Sequence, residues 1–244
     1  GWTFKNNGNQ AEEVRSEEGK VPIAAGLKLL NPRMVLSHVI NGEAIVNAGV
    51  TVDSKVNSKN IIALMADGNK NPSPSHTTWI GTPGYDAENN GKIDLSNAVT
   101  STAMYLDSSR GINNSEIIMG DKSTGIYGIY KNSTSVYSDA LPGTKNTGII
   151  TTTANSKITI GNESSAIYAI EFDKVENNGE IEGKDKSVGI YAKNTTSSTK
   201  PVNVNNTGDI TLGKGSAGIY ISPEISTATV VNSGNITVGD STLN

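Results

Sequence analysis

The chain has 244 residues, with 20 Lys and Arg against 24 Asp and Glu; a net charge of −4 excludes the basic excess that a nucleic-acid-binding surface needs. Only 35% of residues are hydrophobic and 5% aromatic, while glycines number 26 and asparagines 28, a composition that leaves either disorder or a core built from many short Ile/Val strands. The absence of cysteine excludes disulfide scaffolds and cysteine-based zinc sites, and no apolar run is long enough to cross a bilayer as a helix.

In chain order, residues 1–44 lie off any repeat. They hold a charged segment, Ala11–Lys20, and an apolar one, Ile23–Leu30, and read as an irregular first coil or an interrupting element. No signal peptide is recognisable in residues 1–20. Residues 45–244 carry a repeat of two phrases in constant order. The first is Asn-x-Gly, at Asn47–Gly49, Asn89–Gly91, Asn177–Gly179, Asn206–Gly208 and Asn232–Gly234. Asn113-Asn114-Ser115 is a variant, and Asn146–Gly148 is displaced by an insertion. Close behind comes an Ile-x-apolar frame, at Val50–Val52, Ile93–Leu95, Ile117–Met119, Ile158–Ile160, Ile181–Gly183, Ile210–Leu212 and Ile236–Val238.

The second phrase is Ser-x-(Gly/Ala)-Ile-Tyr. Its tyrosines, Tyr127, Tyr168, Tyr191 and Tyr220, each stand ten residues after the Ile of their frame. Two earlier copies, ending at Ile62 and Tyr105, take a step of twelve. Short alternating apolar segments between Asn-Gly-type turns, with no stretch of helical periodicity, define coils of an all-β, right-handed parallel β-helix, a solenoid with loop insertions. Strand parity points Ile and its partner two residues on inward, and Tyr outward between inward neighbours such as Ile167 and Ala169. The position before Ile reads Lys92, Glu116, Lys157, Glu180, an alternation of sign expected of residues stacked one coil apart.

Four inserts, Ala66–Glu88, Lys131–Lys145, Lys193–Lys200 and Ser222–Thr229, all follow the Tyr phrase and so leave from one corner of the coil. Variable loops on a fixed scaffold are where solenoids carry function. Large aromatics in the two longest inserts are the candidate ligand-binding residues: His76, Trp79 and Tyr85 in the first, Tyr130 and Tyr137 around the second. Trp79 equally fits a residue folded back to plug its coil. The outward Tyr column fits either a stiffening stack or an adhesive stripe. A column reading Asn97, Asp121, Asn162, Asp185 admits carboxylate catalysis, but no two neighbouring coils pair two carboxylates, and a turn ladder explains it. His38 and His76, the only histidines, have no metal-ligand or triad spacing, so no metal, cofactor or catalytic residue is expected.

The coil Asn206-Thr207-Gly208-Asp209-Ile210…Ser216-Ala217-Gly218-Ile219-Tyr220 resembles the repeats in passenger domains of type V autotransporters, in particular the large outer-membrane adhesins of fusobacteria. The resemblance covers residues 45–244 and implies a non-enzymatic segment of a cell-surface adhesin. It implies export unfolded, anchoring to the outer membrane by a C-terminal barrel absent from this chain, and attachment, as a monomer, to a protein or glycan on host cells or other bacteria. The last frame, at Ile236, opens a coil that the sequence does not complete, so the chain is expected to be a slice of a longer protein. A β-helix enzyme cleaving polysaccharide, or a passive spacer stalk, are the alternatives.

Overall fold

A computed structural model of the chain describes residues 12–16, 19–23, 28–29, 35–40, 43–54, 56–67, 81–82, 84–130, 148–194, 201–222 and 227–240, with backbone alone at 12–16, 19–23, 28–29 and 38–40. Every regular element among these residues is a β-strand, and three long parallel sheets dominate. Each coil visits them in the same order, so the chain winds as a three-sided parallel β-helix.

The asparagine sheet has seven strands, Ala44–Val46, Ala87–Asn89, Arg110–Asn113, Ile149–Thr152, Lys174–Asn177, Val202–Asn206 and Ala228–Asn232. Next in each coil comes the isoleucine sheet, with Lys28–Leu29, Thr51–Ser54, Lys92–Leu95, Glu116–Met119, Lys157–Ile160, Glu180–Gly183, Ile210–Lys214 and Ile236–Gly239. The tyrosine sheet completes the coil, with Val35–Ile40, Ile62–Asp67, Thr102–Asp107, Thr124–Ile129, Ser165–Ile170, Val188–Lys193 and Ala217–Ile221. Solenoid pairing thus begins before residue 45, at Lys28 and Val35, which pair with Asp53 and Ile62. An antiparallel hairpin, Glu12–Ser16 with Gly19–Ile23, lies against the first tyrosine-sheet strand.

The interior is built of aliphatic columns, two of them on the isoleucine sheet, where Ile93 and Leu95 are both buried on one strand. Ile93, Ile117, Ile158, Ile181 and Ile210 pair in register and are fully buried. Ile236 continues the column but is 39% exposed, because no later coil among the described residues covers it. Burying one such side chain contributes about 1.5–3 kcal/mol, and repetition makes this the main driving force.

In the earliest copies the register differs from the sequence frame. Val52, not Val50, pairs with Ile93, so Ser54 stands opposite Leu95's interior column. Met65, not Ile62, pairs with Tyr105. The long step to Tyr105 is taken up by an extra two-stranded ladder, Ser58–Lys59 with Ala98–Val99. Val46 pairs with Asn89, which leaves Asn47–Gly49 one residue beyond the ladder, in a tight turn with Gly49 at φ 80°.

Buried polar ladders turn the corners. Asn89 donates to Asn113 Oδ1 (2.8 Å), Asn177 to Asn206 Oδ1 (2.6 Å) and Asn206 to Asn232 Oδ1 (2.7 Å). Asn113, Asn177 and Asn206 also donate Nδ2 to the carbonyl two residues on, at 2.8, 3.0 and 2.8 Å. A buried amide with these partners avoids the 1–3 kcal/mol cost of an unsatisfied polar group. Asn146 and Thr147 of the displaced Asn146–Gly148 phrase lie outside the described residues, and the residue in register with Asn113 and Asn177 is Thr152. Thr152 takes the position and donates to Asn177, while Ser156 accepts from Asn113. Glycine follows because a Cβ on Gly208 would collide with the carbonyl oxygen of Gly179, and one on Gly234 with that of Gly208.

The serine column works likewise. The Oγ of Ser123 accepts from Ser101 N, that of Ser164 from Ser123 N and that of Ser216 from Ser187 N. Just before each serine the backbone is left-handed: Thr100, Lys122, Glu163 and Lys186 at φ 49–53°, and Gly215 at 67°. On the outside, Lys92 pairs with Glu116 at 2.8 Å, and Lys157 with Glu180 at 3.4 Å and Glu182 at 3.0 Å. These exposed pairs contribute roughly 0–1 kcal/mol each.

Two substitutions test this architecture by chemical denaturation. Ile210→Asp places an unpaired charge in the interior column and lowers stability by roughly 4 kcal/mol or more. Lys186→Gly relieves a left-handed residue on the surface and raises stability by about 0.5–1 kcal/mol.

Candidate functional site: the insert corner

The corner between the tyrosine and asparagine sheets is the site at which the coils differ most. Two coils turn it tightly, through Ser108-Ser109 and Glu171-Phe172-Asp173, with Ser108 and Glu171 left-handed at φ 50° and 57°. Four coils open into inserts after Asp67, Ile129, Lys193 and Ile221, and the first coil passes from Val35–Ile40 to Ala44–Val46 without one. All four inserts therefore leave from one corner, as the sequence requires. The first insert is shorter than the sequence frame gives, because Ala66 and Asp67 finish a tyrosine-sheet strand and Ala87–Asn89 is already an asparagine-sheet strand, whereas the second spans all the residues between Ile129 and Ile149.

The two longest inserts do not sit on adjacent coils: the tight Ser108-Ser109 corner separates them. Coils stack about 4.8 Å apart, whereas an outgoing and a returning chain together need about twice that width. A tight corner beside a long insert supplies the room. The corner keeps the stacking of the sheets, since Ser108 N donates to Ile129 O, Tyr130 N to Ile170 O and Glu171 N to Lys193 O at 2.8–2.9 Å.

The return limb of the first insert is pinned to the outer face of the asparagine sheet. Gly81 N donates to Glu43 Oε1 (3.0 Å), while Thr82 donates its N to Glu88 Oε2 (2.6 Å) and its hydroxyl to Glu88 Oε1 (2.9 Å). Asn90 and Asn114 donate to the same Glu88 carboxylate. Asp86 accepts from Arg110 N at 2.9 Å. Outward-facing Ile45, Glu88 and Ile112 are consequently only 4–6% exposed. Three buried carboxylates that the sequence did not single out, Glu43, Asp86 and Glu88, thus hold the insert to the scaffold. Their signal in the sequence is faint: single acids within a segment that reads as loop.

Of the sequence-predicted binding residues, Tyr85 and Tyr130 fall in the described structure; His76, Trp79 and Tyr137 lie outside the described residues. Tyr85 is half-buried and its hydroxyl meets Thr151 Oγ1 at 2.9 Å, spanning coils along the asparagine sheet. Tyr130 packs against the core, and the ring of Phe172 lies over Gly128 and Gly148. Burial, together with the charge of Asp173, raises the phenol of Tyr130 above the usual tyrosine range. Both residues mark the roots of the inserts.

The carboxylate column is occupied structurally. Asp121 Oδ1 accepts Asn162 N (2.7 Å), Asn162 Oδ1 accepts Asp185 N (3.1 Å), and Asp185 Oδ1 accepts Lys214 N (2.8 Å). Beside it runs a groove of about 310 Å³, where the extra ladder at Ala98–Val99 ends and the coil narrows; Val99, Ile118, Asp121 and Lys184 line it. Among the described residues no group of three acids or histidines is placed to hold a metal ion, and no helix is long and apolar enough to cross a membrane.

Fold and corner together define a parallel β-helix with four inserts at a single edge, the first of them pinned at its return limb. Comparison of the chain with protein-family models, curated proteins and solved structures gave no match.

Removing the side chain that holds the first insert is expected to loosen it. Glu88→Ala strands two amide donors and two donors of Thr82, lowers stability by about 2–3 kcal/mol, and increases proteolytic cleavage within residues 68–80. Denaturant melts and limited proteolysis measure the two effects.

Proposed function

We propose that this chain is a non-enzymatic segment of a cell-surface adhesin, anchored to an outer membrane through parts of the protein beyond it. Its β-helix displays binding loops toward a protein or glycan on host cells or other bacteria. The observation that carries the reading is the corner itself. The scaffold keeps its coils stacked in parallel register, while every insert opens at one edge and the first is bound down by buried carboxylates. Investment in holding a loop, on a coil that closes without one elsewhere, is expected of a displayed surface and not of a plain spacer. The resemblance to autotransporter passengers supports the same reading.

Within it, Tyr85 and Tyr130 fix where the inserts leave, and Trp79, His76 and Tyr137 supply the contacting surface. Large rigid aromatics give contact area at small entropic cost, with surrounding Asn, Ser and Thr to hydrogen-bond. The polysaccharide-cleaving alternative draws no support from the Asp column, whose oxygens serve the turns of neighbouring coils.

The test replaces residues 69–80 with Gly and Ser of equal length, leaving the pinned Gly81, Thr82 and Tyr85 in place. In a fragment that binds cells, binding falls at least tenfold while the unfolding midpoint stays unchanged; a tenfold loss corresponds to about 1.4 kcal/mol. Unchanged binding by the folded replacement removes this insert as the recognition surface.

A further inference from the structure

Five tyrosines on successive coils, Tyr105, Tyr127, Tyr168, Tyr191 and Tyr220, form one continuous stack on the outside of the tyrosine sheet. Their Cα atoms pair in register. Ring centroids are 5.1, 5.4, 4.5 and 5.2 Å apart in that order, with interplanar angles of 12–22°. The geometry decides what such a stripe can do. Each inner ring has both faces against its neighbours, so it offers no open face to a sugar ring. What it turns outward is its edge.

Stacked phenols have another property. Phenol is among the most easily oxidised side chains, and a radical on one ring passes readily to a ring stacked upon it. The chain has no cysteine to quench such a radical. Two radicals on adjacent rings are already held at coupling range by the backbone ladder. We propose that the tyrosine ladder is a site of oxidative cross-linking, at which neighbouring tyrosines join as dityrosine and staple one coil to the next, with Tyr168–Tyr191, the closest pair, as the principal link.

The chemistry balances with a peroxide as oxidant. Each phenol gives up one electron and one proton. The two phenoxyl radicals form a carbon–carbon bond between ring positions ortho to the hydroxyls, and both rings regain aromaticity by shifting the ortho hydrogens to oxygen. One hydrogen peroxide accepts the two electrons and two protons and leaves as two waters. The product is two hydrogens lighter. It adds a covalent link between side chains of stacked coils, as a disulfide would in a chain that had cysteine. Closing this loop shifts the unfolding midpoint upward by roughly 5–10 °C.

The experiment treats the folded chain, dilute, with a haem peroxidase and hydrogen peroxide, then separates monomer from dimer. Dityrosine fluorescence is expected in the monomer, with a cross-linked peptide pair containing Tyr168 and Tyr191. Tyr191→Phe, which keeps a ring in the stack, removes that peptide pair. Changing all five ladder tyrosines to Phe abolishes the monomer signal, although Tyr85, Tyr130 and Tyr137 remain. A variant with an unaltered unfolding midpoint before oxidation rules out misfolding as the cause. The proposal is overturned if dityrosine appears only in dimers, if the five-Phe variant matches the parent chain, or if the chain oxidised in denaturant yields the same pair distribution as the folded one.

Discussion

Each coil hydrogen-bonds to the next in register, about 4.8 Å away, so a side chain's nearest neighbour is the residue at its own position one turn later. Every recurrent feature of the molecule follows from that spacing. An isoleucine meets an isoleucine and is buried, and an asparagine meets an asparagine and is satisfied. A tyrosine meets a tyrosine at ring-stacking distance. The same spacing explains glycine where coils approach too closely for a Cβ, as at Gly208. It also explains lysine against glutamate where like charges would repel.

This arrangement lets a chain poor in large apolar residues build a long core. The interior needs only one or two medium aliphatics per strand, because the coils above and below complete their packing. Polar residues are admitted inside when the ladder satisfies them, as the Asn and Ser columns show. Where a rung is missing, the fold substitutes locally: Thr152 and Ser156 stand in for one asparagine, and Phe172 fills the space above Gly128 and Gly148. The scaffold therefore tolerates large inserts at one corner without disturbing its register.

The corner itself balances two demands. A long insert must clear its neighbours, which the intervening tight corner allows, and its root must stay ordered. The buried carboxylates Glu43 and Glu88 meet the second demand by accepting backbone N–H groups of the returning limb. A carboxylate that accepts several such bonds is well suited to hold irregular backbone against a sheet.

Periodicity alone determined the all-β solenoid, the inward isoleucine column, the outward tyrosines and the common corner of the inserts, because a repeat of period two within strands fixes faces and a repeat between coils fixes columns. The earliest register was not legible. Val50–Val52 and Ile62 fit the phrases by composition, yet hydrogen bonding aligned Val52 and Met65, since an extra ladder lengthens those coils. Nor did the sequence reveal that Glu43, Asp86 and Glu88 would be buried, or that Tyr85 would reach Thr151. Those contacts join residues on different coils with no repeating partner. A singular contact has no period, and only the folded chain brings its two halves together.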